Sequence, residues 1–174
     1  NVRTTEFGVG KDETDAQTFR CVAVDGDVQN ALREMVSATW DALSSLSDDP
    51  PRYEPSEKHA SKEYVQLPLD DDLAERMRDL HRADNLDSDT LTDPNTIFCY
   101  FARLTDGQGR RLTAVRRATQ FKGVLKSRLI QFVTDALKIV EDTVFKLDND
   151  FDMLIDANSV HILRPSGFEF VGKL

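Results

Sequence analysis

The stretch Thr96-Ile97-Phe98-Cys99-Tyr100-Phe101-Ala102-Arg103-Leu104 constrains this chain more than any other. It is apolar at odd and even positions alike, so a strand through it has no face to give to water. Such a strand belongs in the interior of a sheet. Asp106-Gly107-Gln108-Gly109 follows as a hairpin-type turn. Arg111 to Thr119 then alternates well enough to be the partner strand, with Leu112 and Ala114 or Val115 inward and Arg116 outward. A central hairpin therefore organises what the rest of the chain adds.

The last third adds more strands. Val144-Phe145, Phe151 to Ile155, Val160 to Leu163 and Phe168 to Val171 are short β-prone runs bounded by Asp, Asn, Gly and Pro, the pattern of a β-meander. Nearer the start, Thr18 to Val24 reads as a strand stopped by Asp25-Gly26-Asp27. Asp27 is the expected N-cap of a helix reaching about Leu46, with Val28, Leu32, Met35, Val36, Thr39, Leu43 and Leu46 on one face and Trp40 beside it. Ser47 to Ser61, with Pro50, Pro51 and Pro55, is a loop, and Tyr64 to Pro68 a short extended piece.

A second helix is expected from about Asp71 to Arg82, presenting Leu69, Leu73, Met77 and Leu80. Asp70, Asp71 and Asp72 complement the positive end of its dipole, and a protonated His81 the negative end. Ala83 to Pro94 is an acidic loop. Leu125 to Val140 reads either as a helix or as a strand at Leu129 to Val133 with a turn at Thr134-Asp135. Asn1 to Gln17 is polar, carries Gly8 and Gly10, and reads as a loosely held arm or an edge strand.

The expectation is one α+β domain, a mainly antiparallel sheet with two or three packed helices. Its parts are a flexible arm at 1–17, a helix-rich part at 18–94 and a sheet-rich part at 95–174. With 174 residues, 40% of them apolar, a single core is attainable. A chain that begins at Asn1 and stops just after a strand-like run is expected to be a fragment of a longer protein.

Most routes to catalysis find no support. Cys21 and Cys99 each lie in an apolar run, as a disulfide, a nucleophile or two buried thiols in a reducing compartment. Asp148-x-Asp150-x-Asp152 opens like a calcium loop, but Met153 stands where the sharp turn needs Gly and Ser159 where a bidentate Glu belongs. No Asp-x-Lys or Glu-x-Lys occurs, against a restriction-type nuclease. His59, His81 and His161 sit on unrelated elements, and no Gly-x-Ser-x-Gly is present. No cofactor, metal or catalytic residue is indicated. No apolar run is long enough to span a membrane, and no signal-peptide pattern opens the chain.

Charge is the informative signal. Arg103, Arg110, Arg111, Arg116, Arg117, Lys122, Lys126 and Arg128 face only Asp106 between Arg103 and Arg128, in a chain of net charge −9. A basic hairpin on an acidic body suits phosphate, and these eight are the candidate DNA-contacting residues. The other reading is a solvated hairpin whose arginines pair with the body's own carboxylates.

Phe145-x-Leu147-Asp148, then Phe151-Asp152 and a hydrophobic pair, Val160-x-Ile162-Leu163 and Phe168-Glu169 together resemble the signature of the KwaB-like family, components of the Kiwa anti-phage defence system of bacteria. The resemblance covers about Arg116 to Val171, with support from Ile97 to Leu104. It implies a cytoplasmic protein that binds DNA without a known reaction and acts beside a small membrane-embedded partner protein, through which it is membrane-associated. Asp152 and Glu169 match the family's acidic positions; structurally they would cap turns or pair with Arg164 or Arg117. The family protein is longer, and the acidic net charge departs from a simple DNA binder. Two alternatives stand beside it. One is an interaction or homo-oligomerisation domain docking a membrane partner or a second copy. The other is part of a nuclease completed outside this fragment.

Overall fold

The computed structural model describes residues 2–13, 16–32, 34, 65–66, 72–84, 86–91, 93–106, 111–128, 130–140 and 152–162. In chain order the elements are β1 (Val2–Glu13), β2 (Ala16–Cys21), α1 (residues 26–32), β3 (Val65–Gln66) and α2 (Asp72–Arg82). After a 3-10 turn at Pro94–Thr96 come β4 (Ile97–Asp106), β5 (Arg111–Arg117), α3 (Thr119–Lys126), β6 (Ile130–Val133), β7 (Ala136–Ile139), β8 (Met153–Ile155) and β9 (Val160–Ile162). Seven strands make one sheet in the order β2-β1-β4-β5-β8-β9-β3, with every neighbouring pair antiparallel. β6 and β7 form a separate hairpin. The protein is α+β, as its sequence leads one to expect.

β4 is interior and buried on both faces. Tyr100, Ala102 and Leu104 join Phe7, Val9, Leu112, Ala114 and Leu154 in one core. Val28 and Leu32 of α1, Phe121 of α3 and Leu137 of β7 close that core. On the opposite face Cys99 and Phe101 join Val115, Met153, Ile155, Val160 and Ile162 against Ala74, Met77 and Leu80 of α2. The spacing of those three residues puts them on one stripe of the helix. Burying Met77 and Leu80 stabilises by roughly 1.5–3 kcal/mol each. Asp72 and Glu75 in the first turn of α2 and Arg82 in its last suit the dipole.

Three expectations need correction. Residues 2–13, read as a loose arm or an edge strand, are neither. β1 is paired on both sides, with β2 and with β4. Gly8 lies opposite Phe101 and Gly10 opposite Cys99. The ring of Phe101 covers Gly8, and a Cβ on Gly10 would lie 2.6 Å from Cys99 Sγ and 2.7 Å from Phe98 Cζ. These glycines make room for rings from the next strand, which is a packing role.

The cap of α1 is Asp25, two residues earlier than Asp27: its Oδ1 accepts from the backbone N–H of Val28 at 3.0 Å. The extended chain is held up to that point by β7, since Asp25 N–H donates to the Leu137 carbonyl at 3.0 Å. His81 does not serve as a charged dipole partner, as shown below. Of the two readings of Leu125 to Val140, the structure shows the strand: β6 and β7 form a hairpin with its turn at Thr134-Asp135, after the end of α3. Thr134 takes φ 62° at the β6–β7 turn, and Arg128, at φ 62°, ends the α3 segment. α3 itself was hidden by its brevity; Phe121 and Leu125, four apart, turn its apolar side to the core.

β2 and β3 come from the part expected to be helix-rich, yet they flank the same sheet as β4, β5, β8 and β9. The helix positions from Met35 to Leu46 with Trp40, the proline loop, the Gly107–Gly109 turn, and the runs at Val144–Phe145 and Phe168–Val171 lie outside the described residues. Cys21 and Cys99 are free thiols. Burial pushes the Cys99 thiol up to about 12, which disqualifies it as a nucleophile near neutrality. Among the described residues, no helix is long and apolar enough to cross a membrane.

Candidate nucleic-acid interface

The basic residues of the β4–β5–α3 segment divide into two groups. Arg103 is buried, with its side chain 2% exposed. Its Nη1 donates to the carbonyls of Leu80, at 3.1 Å, and Ala83, while Nε and Nη2 donate to Glu6. Arg111, on the neighbouring strand, donates from Nη1 to the His81 carbonyl at 3.0 Å and from Nη2 to Asp84 at 3.2 Å. The two guanidinium groups thus add donors to carbonyls at the end of α2, of which that of Leu80 also accepts from the backbone N–H of Ala83 at 3.3 Å. The central hairpin carries them because its residues 103 and 111 point to the α2 side.

His81 sits between them. Its Nδ1 lies 2.8 Å from Thr113 Oγ1, in a hydrogen bond whose direction depends on the tautomer. Burial, and then the nearby Arg111 and Arg103 charges, lower its pKa from 6.5 to about 4, although Asp156 pulls the other way. The folded state therefore resists a proton that the unfolded chain accepts below 6.5. Stability is full above that pH and is lost as pH falls toward 4. Allowing for solvent screening, we expect a loss of about 1 kcal/mol between pH 7 and pH 5 from this residue. Urea midpoints of the wild type and His81→Gln at the two pH values check it: the variant's profile should be flatter, and parallel profiles would refute the assignment.

Arg117 is also engaged. Its backbone N–H donates to Asp152 Oδ2 at 2.8 Å, and its Nη2 lies 3.5 Å from Oδ1. Asp152 is 1% exposed, and its own N–H donates to the Val115 carbonyl at 2.9 Å. This acidic position fastens the start of β8 to β5, the pairing with Arg117 weighed in the sequence. Arg110 and Glu169 lie outside the described residues.

Arg116, Lys122, Lys126 and Arg128 form the second group. None has an ion-pair partner among the described residues. Arg116 lies opposite Tyr100 on the α3 side of β5, and its Nη1 is buried without a hydrogen-bond partner. Lys122 and Lys126 stand one turn apart on α3, a spacing that keeps them on one side of the helix. Lys126 and Arg128 are exposed. No acidic residue occurs from Gly107 to Thr134.

Among the described residues no group of three or more His, Cys, Asp or Glu could hold a metal ion. What sequence reasoning missed is the division of labour: Arg103 and Lys126 look alike in the sequence, and only the partner 97 residues away, Glu6, tells them apart. Compared with family models, with curated proteins and with solved structures, the chain finds no match.

Proposed function

We propose that this domain binds the phosphate backbone of DNA, with little sequence preference, through Arg116, Lys122, Lys126 and Arg128. The observation that carries the reading is their lack of any carboxylate partner among the described residues, within a stretch free of acidic residues. Arg103, Arg111 and Arg117 do not belong to the interface, because helix carbonyls and carboxylates already occupy them. Cations that meet phosphates release condensed counterions, so affinity should fall steeply with salt. A part in anti-phage defence, beside a membrane-embedded partner, is the biological setting that the resemblance of residues 116–171 suggests.

The test reverses Lys122 and Lys126 to Glu together. Each sits on the surface side of α3, so the fold should survive. Binding to a labelled duplex should weaken by at least about tenfold, and the slope of log affinity against log salt should drop by about 2. Unchanged affinity and slope would remove α3 from the interface. Reversing Arg117 would be a poor test, since it would set a second carboxylate against buried Asp152.

A further inference from the structure

α2 lies over β5, β8 and β9, and its Arg76 side reaches β2 at Gln17. There, β2 and one side of α2 enclose a cleft of about 480 Å³. Arg76, Asp79 and Leu80 of α2, with Ala83 just past its end, line it at i, i+3, i+4 and i+7, a single helical stripe. Gln17 and Phe19, two apart on one face of β2, line it from the other side, and Leu86 contributes from the segment after α2. The ring of Phe19 is set edge-on to Phe98 and Phe101, both at 6.2 Å between centroids, so the aromatic wall is braced.

The size is that of a small-molecule site. The charges define the occupant further. Arg76 donates from Nη1 to Gln17 Oε1 at 3.1 Å, and among the described residues it has no carboxylate partner. Asp79, one turn along the same stripe, has no cation partner among them either, and the two do not close on each other. An isolated anion at Arg76 would face Asp79, and an isolated amine at Asp79 would face Arg76. A ligand that carries both charged groups on one carbon satisfies both side chains. We propose that this cleft binds a free α-amino acid with a large apolar side chain. Its carboxylate meets the open donors of Arg76, its ammonium meets Asp79, and its side chain lies against Phe19, Leu80 and Leu86. A peptide end carries only one of the two charges beside its terminal residue, so the free amino acid is the better match. The proposal is independent of the DNA reading.

The experiment is calorimetric titration of the full chain with L-tryptophan and L-phenylalanine, beside phenylpropionate, which lacks the ammonium, and phenethylamine, which lacks the carboxylate. Saturable binding of one or both amino acids is expected, at least about tenfold tighter than either analogue. Arg76→Gln and Asp79→Asn, both at exposed positions, should each weaken it by about tenfold with an unchanged circular dichroism spectrum. Ala83→Leu should block it by filling the cleft. No saturable binding of either amino acid at millimolar concentration, equal binding of the analogues, or indifference to both charge variants would overturn the proposal.

Discussion

Replacing Arg103 with Met is expected to destabilise the fold by about 3 kcal/mol. The side chain is 2% exposed. Its volume would be largely kept, so the loss is polar in origin. The carbonyls of Leu80 and Ala83 would lose the Arg103 donor; Leu80 keeps the backbone N–H of Ala83 at 3.3 Å, so the Ala83 carbonyl bears most of the loss. An unsatisfied buried acceptor costs about 1–3 kcal/mol. Glu6 matters less, because it is 46% exposed and water can take over its hydrogen bonds. Arg103→Lys keeps the charge but lacks the planar fork that reaches a carboxylate and two carbonyls at once, so it should recover less than half of the loss. Urea denaturation of the three proteins reads the difference directly. A Met variant within about 0.5 kcal/mol of wild type would mean that the α2 terminus finds other donors.

Gly8→Val should be as damaging, at about 3 kcal/mol, by a different route. A Cβ at this position would run into the ring of Phe101 and would lie 2.5 Å from the carbonyl oxygen of Arg20. One obstacle is a core side chain and the other is the backbone of β2, so neither can move without disturbing its own strand. The mechanism makes a further demand. In the pair Gly8→Val with Phe101→Ala, the second change opens the space the first one needs, so the double variant should be clearly more stable than the sum of the single losses implies. Strict additivity in thermal or urea unfolding would show that the ring is not what excludes a side chain at Gly8.

These two sites mark where the sequence is readable. β4 announces itself because a strand buried on both faces must be apolar throughout. α2 and the strands β8 and β9 are legible for similar local reasons, their periodicity and their turn residues. β1 is not, because the residues that face its neighbours' rings are glycines, which carry no hydropathy signal at all. The alternation there is written in the aromatic residues of β4. The candidate interface shows the same limit. The excess of cations is local and visible, but which of them are spent on the fold is decided by Glu6, the end of α2 and Asp152, all remote in sequence. The cleft is less legible still. Arg76 and Gln17, which span it, are 59 residues apart, and each alone reads as an ordinary solvated side chain.

The position of β1 bears on how the chain comes into being. Its two neighbours are β2, which follows at once, and β4, whose residues begin at Ile97. During synthesis the β1–β2 hairpin leaves the ribosome well before β4 exists. A lone two-stranded hairpin is marginal in water, and an unpaired strand edge invites pairing with other chains. Arg3, Thr4, Thr5, Glu6, Lys11, Asp12 and Glu13 make this strand too polar and too charged to be a good aggregation template. The polarity that makes β1 look like a loose arm is thus what lets it wait safely for its partner.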